Sequence, residues 1–235
     1  MKLSQATTPA EVDTTVSQVA QWALALRQLH ARIAPHFARA EPRQQVLRYL
    51  QGLLSCVERT NGWQLAEQAR EATPYGMQRL NSQAIWEADL VRDDLRSYVL
   101  EQLGTHDSIV AIDETSFPKR GCKSAGVQIQ YCGTTGQVGV FLSYVTAKGH
   151  SLIDRELYLP FDWIADRKRS QDAGIPGSAR FQTKPELARP LLERLRQAHL
   201  PISWVVADTA LRRQPGSAHL ARGAWLSLCA GRGLR

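Results

Sequence analysis

This chain lacks the run of about 18 apolar residues that a helix needs to cross a bilayer, so a membrane-spanning segment is not expected. Its start, Met1-Lys2-Leu3-Ser4-Gln5, runs on into polar residues and has no apolar centre of an export signal. Cysteine is scarce: Cys56, Cys122, Cys132 and Cys229 include no Cys-x-x-Cys pair and no disulfide-framework spacing. That pattern excludes a disulfide-stapled fold and argues against structural zinc. The six histidines show no metal-ligand spacing either. A reducing, cytoplasmic setting is the expectation. What is present is enough apolar material, 43% of 235 residues, for one good core and a smaller helical unit.

The net charge of +7 is unevenly spread. Residues 1–105 carry 11 basic and 11 acidic side chains, and residues 106–209 carry 13 and 11. The last 26 residues carry 5 basic side chains and no acidic one. Overall basicity is therefore poor evidence for nucleic-acid binding. Two local clusters are better evidence: Lys119, Arg120 and Lys123, and then Arg167, Lys168 and Arg169. Each suits contact with phosphates, and each equally suits a solvated loop.

Up to about residue 105 the apolar periodicity is helical, over Val12 to Ile33, Arg43 to Val57, Trp63 to Glu71 and Ile85 to Leu103. Between Gly62 and Trp86 a break at Thr73-Pro74-Tyr75-Gly76 separates two short helical stretches. A helix-turn-helix that enters a DNA groove has this pattern, and so does any pair of packed helices. After residue 105 strand signals take over, at Ser108 to Ile112, Ala125 to Tyr131, Val138 to Val145 and Leu152 to Leu159. Gly133-Thr-Thr-Gly136 is expected to turn the middle pair, and Phe161 to Phe181 reads as a loop. Thr183 with Glu186 three positions on, and Pro185 between them, marks the start of a helix with Leu187, Leu191, Leu192 and Leu195 on its apolar stripe. A strand from Ile202 to Ala207 follows, as a crossover to a parallel strand requires. The fold class is thus α/β: an N-terminal helical region, then three antiparallel strands, a helix and a strand parallel to the first. This is the order of a ribonuclease-H-like core.

Two of these apolar runs end on an aspartate. Ile109-Val-Ala-Ile leads into Asp113, and Trp204-Val-Val-Ala leads into Asp208. Catalytic groups in open α/β sheets gather at the carboxyl ends of parallel strands, so the two carboxylates are candidates for one metal site. Hard oxygen ligands suit Mg²⁺ or Mn²⁺, and paired ions stabilise both the attacking and the leaving oxygen in phosphate-ester chemistry. A strand-end aspartate also serves as a turn or cap residue.

The segments Asn61-Gly-Trp-Gln-Leu-Ala-Glu, Asp113-Glu-Thr-Ser-Phe-Pro-Lys-Arg-Gly, Gly126-Val-Gln-Ile-Gln-Tyr, Gly139-Val-Phe-Leu-Ser-Tyr, Asp154-Arg-Glu-Leu-Tyr-Leu-Pro, Ala173-Gly-Ile-Pro, Phe181-Gln-Thr-Lys-Pro-Glu-Leu-Ala and Trp204-Val-Val-Ala-Asp-Thr together resemble the DDE transposases of bacterial insertion sequences. Eight collinear motifs from about residue 35 to residue 209 are far more specific than any one of them. The resemblance implies a ribonuclease-H-like endonuclease core whose Asp-Asp-Glu triad holds two Mg²⁺ or Mn²⁺ ions. It implies DNA partners, namely the element's terminal inverted repeats and the target DNA, a homodimer that pairs the two ends, and a bacterial nucleoid location. Asp113 and Asp208 are the expected catalytic and metal ligands. Lys119, Arg120, Lys123, Arg167, Lys168 and Arg169 are the expected DNA contacts.

Two departures from that family stand out. The hairpin between Tyr131 and Val138 is shorter than the family's, which points to an internal deletion. After Thr209 neither the family's Tyr-Gly-Gly type motif nor a third carboxylate follows. Residues Leu211 to Leu226 can be written in permissible codons that, shifted by one base, spell Tyr-Gly-Gly-Asn-Pro-Asp-Leu-Arg-Thr-Trp-Leu-Glu-Ala-His-Gly. The expected organisation is therefore a helical, DNA-contacting region over 1–105, a partial catalytic core over 106–209, and an out-of-frame, disordered tail over 210–235. The expected function is that of a truncated, inactive transposase. The alternative is a non-catalytic remnant that at most binds the terminal repeats.

Overall fold

The computed structural model describes residues 15–119, 121–129 and 135–207. Asp208, Arg120, Tyr131, Cys132, Gly133 and the tail over 210–235 lie outside the described residues. The chain divides into two compact units, Met1–Leu95 and Arg96–Arg235.

The first unit is helical. Helix α1, Val16–Ile33, opens on a reciprocal cap in which the Thr15 N–H donates to the Gln18 side chain and the Gln18 N–H donates to the Thr15 hydroxyl. Helices α2, Ala40–Leu53, α3, Gly62–Gln68, and α4, Tyr75–Ser82, follow. One small core gathers Ile33, Phe37, Val46, Leu80 and Val91, and a second gathers Leu65, Ala66 and Met77. Glycines let these short helices approach closely. A Cβ on Gly52 would lie 2.6 Å from Leu65 Cδ2, and one on Gly76 would lie 2.9 Å from the Glu71 carboxylate. Helix α5, Ala88–Leu103, runs into the second unit, where Val99, Leu100 and Leu103 pack on the sheet.

The second unit is a five-stranded mixed sheet. Strand β1, Ile109–Pro118, β2, Gln128–Ile129, β3, Thr135–Thr146, and β4, Gly149–Leu157, are antiparallel neighbours, with β2 and β4 sharing one edge of β3. The last strand, β5, Trp204–Ala207, lies parallel to β1 on its other edge. Between β4 and β5 come two short helices, α6, Phe161–Ala165, and α7, Arg167–Asp172, and then α8, Lys184–Gln197. The observed architecture is the α/β, partial ribonuclease-H-like core that the order of elements predicts.

Period-two alternation divides the sheet's faces. Val110, Ile112, Val140, Leu142, Tyr144 and Val205 point to the face covered by Leu187, Leu191 and Leu195 of α8. The opposite face carries Ile109, Phe117, Leu152, Leu157, Trp204 and Val206, all exposed among the described residues. The Thr183–Glu186 capping pair is present at the start of α8: the Glu186 carboxylate accepts both the backbone N–H and the hydroxyl of Thr183 at 2.8 Å.

Four sequence expectations change. Strand β1 runs on past Ile112 to Pro118, because the twelve-residue β3 supplies it with antiparallel partners as far as Gly136. The strand expected over 125–131 is described only at Gln128–Ile129, since Gly126 takes a φ of +75° and the Val127 N–H turns back onto the Ser124 carbonyl. Thr135 and Gly136, expected in a turn, are instead paired in β3. The expected loop over 161–181 contains α6 and α7, helices of five and six residues that are too short to show a periodicity.

Candidate active site

Strand β1 brings Asp113 to the exposed face of the sheet, between Phe141 of β3 on one side and the end of β5 on the other. The parallel register is pinned where both strands begin. The buried Ser108 hydroxyl donates to the Pro201 carbonyl, and the Tyr144 hydroxyl donates to the same oxygen at 3.2 Å. In return the Ser108 carbonyl accepts the N–H groups of Ser203 and Trp204. This clasp sets Ile109 opposite Trp204 and, three residues on, Ile112 opposite Ala207. A slip of one residue would turn every side chain of β5 to the other face. Ser108 is a positioning residue that composition and spacing did not single out, although its place at the start of the expected strand was visible.

The carboxylates around β1 divide by their partners. Asp113 accepts the N–H of Glu114 at 2.7 Å, and no cation neutralises it among the described residues. Glu114 projects to the other face and is bound by Lys184 of α8 at 2.5 Å, whose ammonium also lies 5.6 Å from the Tyr158 ring centre. Asp154, buried in β4, receives both Nε and Nη2 of Arg194 at 2.8 and 3.0 Å, and the same guanidinium reaches Glu156 at 2.8 Å. Burial works against the Arg194 charge, but the hydrogen bonds and charges of Asp154 and Glu156 outweigh it and hold the guanidinium more strongly protonated than an ordinary arginine. Glu186 is occupied by its cap, which lowers its pKa chiefly through the Thr183 backbone N–H. Glu193 is occupied by Arg196 and Gln197, which lower its pKa in that order. Asp113 is thus the carboxylate of this sheet left available to a cation. Among the described residues no three His, Cys, Asp or Glu side chains stand together as a metal-binding group. Asp208, the expected second ligand, lies outside the described residues.

The two basic clusters, more than forty positions apart in sequence, are brought together by the fold. Arg169 lies 3.7 Å from the centre of the buried Trp163 ring and donates to the Cys122 carbonyl at 3.1 Å, while the Trp163 indole N–H donates to the Val127 carbonyl at 2.9 Å. The loop that carries Lys123 is thereby fastened to α6 and α7. Arg167 donates to the Gly177 carbonyl at 3.0 Å. Lys119, Lys123 and Lys168 are exposed. Arg169 therefore has a structural task besides any contact with phosphate, and Arg120 lies outside the described residues.

No helix among the described residues is long and apolar enough to cross a membrane. Residues 32–215 match the family model of the DDE superfamily endonucleases. Over 166 residues, 70% of its length, the chain is 25% identical to the probable transposase for insertion sequence element IS701 of Microchaete diplosiphon, and it spans 42% of that relative's length. The family match covers the helical region from Arg32 onward, the whole sheet and α8, and on that extent the chain belongs to the DDE superfamily of endonucleases.

Proposed function

We propose that this chain carries part of the DNA strand-cleavage core of an insertion-sequence transposase, with Asp113 and Asp208 as its first two metal ligands. Endonucleases of this superfamily depend on divalent metal, which in such a site activates the attacking oxygen and stabilises the leaving one. The observation that carries the reading is the sorting of carboxylates: Glu114, Asp154 and Glu156 each have a cation, and exposed Asp113 has none among the described residues. Covalent geometry supports the pairing with Asp208. Ala207 is paired with Ile112, adjacent strands lie about 4.8 Å apart, and each aspartate is one Cα step of about 3.8 Å further on. The residues that precede the two aspartates are therefore paired across the sheet, which supports a pair of ions shared by the carboxylates that follow them.

The exposed lysines fit the DNA side of the reading. Lys119 lies about 20 Å along β1 from Asp113, six residues at about 3.3 Å each, which matches about six steps of duplex DNA at 3.4 Å. Lys119, Arg120, Lys123 and Lys168 would hold phosphates, and Arg169 would brace the loop that carries Lys123. Pairing of two element ends by a dimer, and a place on the nucleoid, follow from the same reading.

No Asp or Glu follows Asp208 in this sequence. The one-base-shifted text after residue 210 supports a frame change as the cause, and sequencing the locus tests it: a shifted frame without that text and without a downstream glutamate refutes the frame change. The chain by itself is then expected to bind metal and DNA without nicking. Mn²⁺ binding followed by electron paramagnetic resonance should weaken at least tenfold in Asp113→Asn; unchanged binding would sink the metal assignment. In a supercoiled-plasmid assay with Mg²⁺ or Mn²⁺ the chain should leave the plasmid intact. Nicking that disappears in Asp113→Ala would show a working enzyme and overturn the non-catalytic reading.

A further inference from the structure

Lys184 stands where a helix is least hospitable to a cation. It is the first residue of α8, directly after the Thr183 cap, and the helix dipole places partial positive charge at that end. The acid of the same turn is already engaged, because the Glu186 carboxylate accepts the N–H and the hydroxyl of Thr183. Compensation comes from another element: the Lys184 ammonium lies 2.5 Å from the Glu114 carboxylate of β1. The ammonium also lies 5.6 Å from the centre of the Tyr158 ring, and Tyr158 is edge-on to Phe181, which is edge-on to Phe161. A residue type that local physics disfavours, held in place from a neighbouring strand, points to a task beyond the helix itself.

Glu114 links that ion pair to Asp113. Its N–H donates to the Asp113 carboxylate at 2.7 Å, so one oxygen of Asp113 is gripped by the residue whose side chain Lys184 holds. The same grip occurs once more in the sheet. Asp154 accepts the N–H of Arg155 at 2.8 Å, and Arg194 then donates to both of its oxygens. Asp113 has the grip without such a cation among the described residues. The backbone here has less support than at the start of the strand: β1 pairs with β3 as far as Pro118, but β5 accompanies it only to Ile112 among the described residues. Beyond Ile112 the clamp of Lys184 on Glu114 supplements the pairing with β3, and it ties the peptide after Asp113 to the capped start of α8.

We propose that Lys184 is a positioning residue for Asp113 and acts through Glu114: the ion pair fixes the peptide whose N–H orients the Asp113 carboxylate, and the other carboxylate oxygen is left to a divalent cation. Groups that orient a ligand without touching the metal commonly set its affinity. This role rests on the proposed function of Asp113 as a metal ligand and adds the two residues that hold it. The expected sign is opposite to that of charge alone. Loss of a cation beside the site would by Coulomb's law draw a divalent ion in more tightly, whereas loss of a positioning group loosens the ligand. If Glu114 were itself a ligand, its release from Lys184 would tighten binding as well.

The experiment is Mn²⁺ titration of the full chain without DNA, followed by electron paramagnetic resonance, in wild type, Lys184→Met, Lys184→Arg, Glu114→Gln and Asp113→Asn. Lys184→Met should weaken binding about tenfold, the lower end of what loss of an orienting partner costs. Glu114→Gln should weaken it by a similar factor, and the Lys184→Met, Glu114→Gln double variant no further, because both changes release one clamp. Lys184→Arg, whose guanidinium also pairs with a carboxylate, should stay within about threefold of wild type. Urea unfolding of Lys184→Met should keep close to the wild-type midpoint, since an ion pair whose two side chains are 31% and 33% exposed contributes little to folding. Unchanged or tighter Mn²⁺ binding in Lys184→Met would overturn the proposal. So would weakening that Lys184→Arg does not restore, or losses that add in the double variant. In each of those cases the cleavage-core reading stands as long as Asp113→Asn still weakens binding; if Asp113→Asn binds Mn²⁺ as the wild type does, the metal assignment fails and this role with it.

Discussion

Removal of the Asp154 carboxylate should loosen α8, and with it the strand that leads to Asp208. Asp154 is 3% exposed, and it takes both the Nε and Nη2 donors of Arg194 and the N–H of Arg155. In Asp154→Ala the guanidinium keeps only Glu156, itself partly exposed, and the Arg155 N–H loses its acceptor. Breaking a buried pair on one side costs about 3–5 kcal/mol. The lower end, about 3 kcal/mol, applies here because Arg194 retains one partner and some solvent contact. Hydrogen exchange measured on peptides from β3 reads this unit separately from the helical one. A loss of about 3 kcal/mol corresponds to exchange on the order of 100-fold faster where it follows global opening. Asp154→Leu with Arg194→Met removes the bidentate pair and fills the space with apolar atoms, but the nearly buried Arg96, 3.8 Å from the same carboxylate, keeps its charge, so the double variant should recover only part of the protection. Less than threefold faster exchange in Asp154→Ala would refute the account. A double variant that exchanges faster than the single one would refute it equally.

Asp113→Asn should leave thermal unfolding within about 0.5 kcal/mol of wild type, since the exposed carboxylate has only the Glu114 N–H as partner among the described residues; a large loss would mean that Asp113 is structural. The Glu186 carboxylate, held below its ordinary pKa first by the Thr183 N–H, contributes stability that is present above pH about 4.5 and is lost as pH falls through its lowered value. Glu186→Ala should therefore flatten that acid limb in urea titrations from pH 6 to 3, and an unchanged limb would contradict the cap. Gly126→Ala should destabilise the second unit by at least about 1–2 kcal/mol from the left-handed backbone alone, with a further cost because the new Cβ would meet the Tyr158 carbonyl at 2.8 Å. Chemical denaturation followed by Trp163 fluorescence reads it, and a neutral result would refute the close approach.

The parts of this fold that were legible in the sequence are those in which one residue's chemistry decides its own surroundings. Val110, Ile112, Leu187, Leu191 and Leu195 are apolar at the period of their element, and each is buried. The Thr183–Glu186 spacing is a local device that closes within three residues, so it appears where it was expected. The length of β1 was not legible, because it depends on how far β3, some thirty residues away, continues to offer partners. Nor was the bracing of Lys123's loop by Arg169 and Trp163, in which a cation takes a carbonyl and a ring in place of the phosphate that its charge suggests.

The same distinction governs the candidate site. Sequence pattern marks Asp113, Glu114, Asp154 and Glu156 as four carboxylates on strands of one sheet, β1 and β4, which flank β3, and nothing in their order says which is free to take a metal. Geometry sorts them, because alternation sends Glu114 to the face where Lys184 waits, and the bulge between Leu142 and Ser143 brings Asp154 beneath Arg194. A carboxylate already neutralised by a fixed cation must give up that partner to bind an ion, at a cost that an unpaired one avoids. Asp113 is therefore the residue of the four at which a metal would add an interaction without breaking one, and that difference, more than its place at the end of an apolar run, is what supports the proposal that it is the first ligand.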